Sequence, residues 1–188
     1  MTPASSTSPA RIRTERDADR KDVLTVHAQA FGGDQVVPRL VEALRAAEAP
    51  IGPLSYVATV DDVIVGHVLL SACRLDAPHR LVDVLTLSPL GVLPDHQNRG
   101  IGTHLVAHAL AAAEAHGIPL VFLEGSPDFY GPRGFERADT VGFRPPSLRI
   151  PPPAFQVARL RSYEPEMTGT FVYSQTFWDL DCVGLRDG

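Results

Sequence analysis

Cysteine is scarce in this chain: two residues, Cys73 and Cys182, in 188. Two cysteines cannot build a disulfide framework, so the fold must rest on its core, and cytoplasm is the expected location. A basic excess is also missing. Formal net charge is −5, which argues against nucleic acid or an anionic membrane surface as the main partner. No apolar run approaches the roughly 20 residues that span a bilayer. The first sixteen residues, MTPASSTSPARIRTER, lack the apolar centre of a secretory signal. Their Ser, Thr, Pro and Ala content reads as a disordered tail over residues 1–10. No internal repeat is visible. What remains is ordinary globular composition, 44% hydrophobic and 21% charged, long enough for one domain with a proper core.

Hydrophobic spacing divides that domain. Residues 11–16 read as a strand. Asp17 or Asp19 can cap a helix that runs to Ala30, and Phe31-Gly32-Gly33-Asp34 breaks it. Val36, Val37, Leu40, Val41 and Leu44 fall at helical spacing. Ser55–Val60 and Val63–Ser71 form a hairpin around Asp61-Asp62. Leu81–Leu87 reads as a strand buried on both faces. Ile101, Leu105, Val106, Ala109, Leu110 and Ala113 make the apolar stripe of a helix that Gly117 stops. Ile118–Leu123 is a further buried strand, and Asp128–Gly134 a short helix or turn. Pro145, Pro146 and Pro151–Pro153 introduce a stiff passage. Phe155–Leu160 and Gly169–Ser174 follow as strands, with Trp178 and Leu180 packing back. This order predicts an α/β fold with a mixed sheet.

The richest stretch is Leu90–Leu105, LGVLPDHQNRGIGTHL. A strand end leads through a polar loop into a helix that opens with two glycines. First-turn N–H groups have no helical partner, the helix dipole attracts an anion, and glycine lets backbone approach it. Arg99 can add a charged fork. A Walker A loop would need a lysine after its last glycine, and none is here. A dinucleotide fingerprint would need glycine where Leu105 stands, and a shorter loop, although Glu124 lies at a tempting distance downstream.

Val92, Pro94, Gln97, Gly100 and Gly102, with Arg99, match Val-x-Pro-x-x-Gln-x-x-Gly-x-Gly. That run resembles the acetyl-CoA site of the GCN5-related N-acetyltransferase (GNAT) superfamily. Asp128-Phe129-Tyr130-Gly131-Pro132-Arg133-Gly134-Phe135 resembles the same family's Phe-Tyr-x-x-x-Gly-Phe segment. The resemblance covers about residues 11–143. The extension over 144–188, expected to pack on the same domain, is similar in a looser way to one bacterial branch that ends in a Phe-Trp segment like Phe177-Trp178. The resemblance implies a mostly antiparallel sheet flanked by helices, with one strand splayed at the cofactor site.

It also implies roles. Leu90, Gly91 and Val92 would offer unpaired backbone groups to the pantetheine arm. Gln97, Asn98, Arg99, Gly100, Ile101, Gly102 and Thr103 would form the pyrophosphate loop. Tyr130 stands where many members keep a general acid, and a phenol with an ordinary pKa near 10 can protonate a departing thiolate. The base is open between Asp83, Glu124 and water, because Thr86 occupies the position where some members place a glutamate. His104 and His108 are spaced to share a metal, but a zinc protease motif would need Glu where Leu105 is, so they read as exposed surface. No metal is expected. Phe31, Phe129, Phe155 and Trp178 can line an acceptor pocket or pack in the core.

The expected activity is direct acetyl transfer from acetyl-CoA to a primary amine of a small molecule or peptide. A catalytically idle acyl-CoA sensor is the alternative. The acceptor is not legible, and a homodimer is open to the chain.

Overall fold

The computed structural model describes residues 9–185, so most of the expected tail lies outside the described residues. Among these described residues nine strands form one sheet: β1 (Arg11–Thr14), β2 (Leu54–Val60), β3 (Val63–Asp76), β4 (Leu81–Val92), β5 (Leu120–Glu124), β6 (Glu136–Arg137), β7 (Phe143–Arg144), β8 (Phe155–Arg159) and β9 (Gly169–Val172). The helices are α1 (Arg20–Ala30), α2 (Val36–Ala46), α3 (Ile101–Ala115) and the short α4 (Pro127–Tyr130) and α5 (Gln175–Asp179). Strand order is β1-β2-β3-β4-β5-β8-β6, with β9 beside β3 and β7 beside β9. Only the β4–β5 and β7–β9 pairs are parallel. The architecture is a mixed, mostly antiparallel sheet flanked by helices.

β3 and β4 run further than their hydrophobic pattern suggests, to Asp76 and Val92. Proline lacks the N–H a ladder needs, yet Pro89 does not end the strand. Instead the β3–β4 register shifts between Val68 and Leu70 and then resumes, Val68 facing Leu90 and Gly66 facing Val92. The bulge absorbs Pro89 and carries β4 on into the polar loop.

The two faces of the sheet bury different helices. On one, Leu105, Val106, Ala109 and Ala113 of α3 pack against Val68, Leu70, Leu85 and Leu87. On the other, Val23 and Val26 of α1 and Val41 of α2 cover Val57 and Ile64. An aromatic stack continues there. Phe122 lies 4.5 Å from Phe171 and 5.7 Å from Phe155, centroid to centroid. Each fully buried side chain of this size contributes about 1.5–3 kcal/mol of transfer free energy. Residues beyond 144 enter the sheet itself: β8 lies between β5 and β6, and β9 extends the edge of β3. Trp178 and Leu180 pack against the same core.

What positions the site is a divergence. β4 and β5 pair only at Leu85–Val121 and Thr86–Phe122. Beyond Thr86, β4 continues to Val92 with partners on β3 alone, while β5 ends at Glu124. The far half of β4 therefore leaves one edge open.

Candidate cofactor cleft and active site

The loop after β4 is held by its own chain. The Gln97 side-chain amide donates to Val92 O at 3.0 Å, and Leu93 N–H donates to Val65 O at 2.8 Å. Asn98 and Gly100 both take left-handed backbone, φ 59° and 80°. Gly100 is the N-terminal cap of α3, and the helical ladder begins with His104 N–H to Gly100 O at 3.0 Å. The amides of Ile101, Gly102 and Thr103 stand ahead of that first bond, at the positive end of the helix dipole.

The two glycines serve different ends. Gly100 supplies a conformation that residues with a Cβ disfavour. Gly102 is helical and supplies space: a Cβ there would lie 3.2 Å from Phe129 Cζ. The close approach of Phe129 closes one wall of a cleft of about 490 Å³ at the open edge of β4.

That cleft gathers Leu90, Val92, Gln97, Asn98, Gly100, Ile101, Gly102 and Thr103. Two candidates stand apart. Arg99 is exposed and outside the lining. Gly91 faces α1, where a Cβ would meet His27 Nδ1 at 2.8 Å. Two lining residues escaped the sequence reading, His96 and Arg133, and Phe129, expected in an acceptor pocket or the core, lines this cleft. Arg133 matters most. Its guanidinium lies 3.8 Å over the Phe129 ring and donates to Thr103 Oγ1 at 2.9 and 2.7 Å and to Phe129 O. It thus ties the segment after α4 to the first turn of α3 and places a fixed positive charge beside three free amides. The signal was its position inside the Phe-Tyr-x-x-x-Gly-Phe match, a segment read for its two aromatic residues.

Tyr130 sits beyond Phe129, ring centroids 4.8 Å apart, with Phe135 at 5.6 Å. Its ring lies against Gly125, where a Cβ would be 2.5 Å from Tyr130 Cε2, so only glycine admits it. Burial pushes the phenol up to about 12, with the charge of Arg133 opposing. Tyr130 therefore stays protonated at neutral pH and can donate.

The expected carboxylates are differently engaged. Asp83 forms a cross-strand ion pair with Arg74, 2.9 Å, both side chains more than 40% exposed. It stands seven residues before Leu90, about 23 Å along a strand, so it is a surface pair and not a group at the cleft. Glu124 accepts from Tyr173 Oη at 2.8 Å and from Gly184 N–H at 3.1 Å. Burial raises its pKa, against these bonds. It anchors the C-terminal passage to the end of β5. Thr86 is fully buried and donates to Phe122 O at 3.2 Å. His104 and His108 are exposed. Phe155 is core, and Phe31 is 43% exposed at the end of α1.

Comparison with known proteins identifies the family and the fold. The family model described as an acetyltransferase (GNAT) domain matches residues 11–138. A curated relative, the uncharacterized N-acetyltransferase YjhQ of Escherichia coli K12, is 30% identical over 123 residues, 63% of this chain and 65% of that protein. The chain thus spans just under two thirds of that relative's length. Among solved structures, the GNAT family N-acetyltransferase YhbS of Escherichia coli in complex with CoA superposes with a TM-score of 0.79, at 26% identity, over 94% of this chain and 95% of that one. A GNAT family acetyltransferase of Brucella melitensis in complex with acetyl-CoA gives 0.71, at 28% identity, over 90% and 98%.

Proposed function

This chain belongs to the GNAT acetyltransferase family, and from that premise we propose that it transfers an acetyl group from acetyl-CoA directly to a primary amine of a small molecule or peptide. One observation carries the reading. The open edge of β4, the three leading amides of α3 and Arg133 meet in a single cleft, and Tyr130 is packed against Phe129, a residue of its wall. These groups fit a ligand with a pyrophosphate at one end and amides along its arm. The CoA-bound and acetyl-CoA-bound relatives support that identification.

Acetyl-CoA supplies the chemistry, a thioester open to attack by an amine. The protein supplies position and protons. The amides of Ile101, Gly102 and Thr103 and the guanidinium of Arg133 would hold the phosphates. Backbone groups of Leu90 and the N–H of Val92 on the open edge would align the arm; Val92 O is already taken by Gln97, and Gly91 turns its groups to β3. Tyr130, protonated at neutral pH, would give its proton to the departing sulfur. Among the described residues no helix is long and apolar enough to cross a membrane, and both cysteines are free; a cytoplasmic location fits.

The test is Tyr130→Phe against a panel of primary amines, with thiol release followed optically and acetyl-CoA binding by calorimetry. A general acid contributes about 10²–10⁴-fold. The expected result is a loss in that range with acetyl-CoA affinity nearly unchanged. Retained turnover refutes the role of Tyr130. Tight acetyl-CoA binding by the native chain with no amine acetylated would favour an idle acyl-CoA sensor.

A further inference from the structure

A second cleft, of about 270 Å³, opens between the end of α2, the middle of β3 and the start of α5. It shares no residue with the cofactor cleft. Leu44, Ala47, Ile51 and Ala72 give it apolar walls, and Ser71 and Ser174 line it with hydroxyls. Among the described residues that line it, the exposed Glu48 is the only charged one.

Both hydroxyls go without a partner. Ser71 is 5% exposed, and its Oγ is buried with no hydrogen-bond partner in the protein. Thr86 stands directly across from it on β4, but gives its own hydroxyl to Phe122 O at 3.2 Å. The Oγ of Ser174 is buried and unpartnered as well. Ser174 is the N-cap residue of α5, with extended backbone, φ −62° and ψ 154°. A serine in that place ordinarily accepts from an amide of the first turn. This one makes no such bond. Packing alone gives no reason for either hydroxyl, because alanine would fill nearly the same space without an unpaired polar group.

The lining selects the chemistry of what would satisfy them. Each hydroxyl can donate one hydrogen and accept another. A head group that both donates and accepts, an amide or an alcohol, answers the two together. A carboxylate or phosphate would meet no cation here and would face the charge of Glu48. An ammonium would be desolvated against two neutral oxygens, since Glu48 is exposed. The volume lies below the roughly 300 Å³ at which pockets for drug-sized ligands begin. The apolar walls suit a short aliphatic chain.

We propose that this cleft is a second ligand site, binding a short aliphatic molecule whose uncharged head, an amide or an alcohol, is held by Ser71 and Ser174. The site is independent of the acetyltransfer reading above. Ser174 directly follows Tyr173, whose hydroxyl bonds Glu124 at the end of β5. The ligand therefore sits on the segment that ties the C-terminal passage to the sheet.

Butyramide is the probe, and butyrate, nearly the same shape with a charge, is its control. Amide NMR of the full chain titrated with butyramide should show saturable shifts at Ser71, Ala72, Ser174 and Gln175. A Kd on the order of 1 mM is the range open to so small a ligand. Butyrate should give no saturable shift there. Equal shifts from both compounds, shifts centred on the cofactor cleft, or no saturable shift from butyramide overturns the proposal. Ser71→Ala and Ser174→Ala should each weaken butyramide about tenfold. Each should leave Tm native or raised, because it removes an unpaired hydroxyl. Native butyramide affinity with a lowered Tm makes the hydroxyls structural and refutes the site. Should either variant fail to unfold cooperatively, Ala47→Leu carries the test. It fills the cleft from one wall and keeps both hydroxyls; lost butyramide shifts are expected, and retained shifts refute. None of these readouts requires that an amine be acetylated.

Discussion

Gly100 offers a substitution series in which backbone conformation is the only variable. Its φ is 80° and ψ −1°, and the nearest atom to an added Cβ is His104 Cε1 at 3.9 Å. Space is available, so any penalty comes from the left-handed conformation, about 1–2 kcal/mol for a residue with a Cβ. For a domain of this size each kcal/mol shifts Tm by about 2–4 °C. Gly100→Ala should therefore lower Tm by about 2–8 °C in calorimetry. Gly100→Asn should cost less, because asparagine tolerates this region, and Gly100→Val more. The strain is relieved by moving the first turn of α3. Its amides then leave their alignment, and a loss near 1.4 kcal/mol weakens acetyl-CoA about tenfold. Gly102→Ala is the counterpart. It meets no backbone strain and gains helix propensity of up to about 1 kcal/mol, yet it presses on Phe129 at 3.2 Å. It should keep Tm and lose affinity. Native Tm and native affinity in Gly100→Ala, or Asn worse than Ala, would refute the reasoning.

Arg133→Ala removes the cation over Phe129 and both bonds to Thr103. Charge-assisted bonds contribute about 1.5–3 kcal/mol, so calorimetry should show acetyl-CoA weakened on the order of tenfold to a hundredfold, with shallower salt dependence. Asp19 is held at about 2, chiefly by its bond from Arg13, with the Arg16 amide adding to it against burial. Its ordinary value is near 3.9, so the stability it contributes, about 2 kcal/mol, is present above pH 4 and lost as pH falls through 2. Asp19→Asn should show that deficit in urea melts at pH 7, and the two proteins should converge near pH 2. Gly91→Ala drives a Cβ to 2.8 Å from His27 Nδ1. Overpacking of this kind costs about 1–3 kcal/mol, and His27→Ala in the same chain should recover part of the lost Tm.

The parts of the fold legible in the sequence are those written in local pattern. The stripe Ile101–Ala113 and the stop at Gly117 mark α3 within two residues. Asp61-Asp62 marks the hairpin, both residues with positive φ. What local pattern does not carry is pairing. Phe155–Leu160 reads as a strand, but its place between β5 and β6 follows from aromatic packing on Phe122, more than thirty residues away. Pro89 hides the second half of β4, because the bulge that absorbs it is made with β3.

The site divides the same way. The glycine loop announces itself, since its chemistry lies in consecutive backbone groups. Arg133 does not, because it acts on a helix start thirty residues upstream. Asp83 looked available because its partner, Arg74, lies across a strand pair that spacing cannot show.

In the proposed reading one cleft, between β4, the first turn of α3 and Arg133, receives the cofactor. An amide NMR titration of the full chain with coenzyme A tests it most directly. Saturable shifts are expected, concentrated at Leu90–Val92, Gly100–Thr103 and Arg133 and lost in Gly100→Glu. Shifts centred elsewhere, such as the groove where Leu44 and Glu48 face Ser174, or no shift at all, would contradict it.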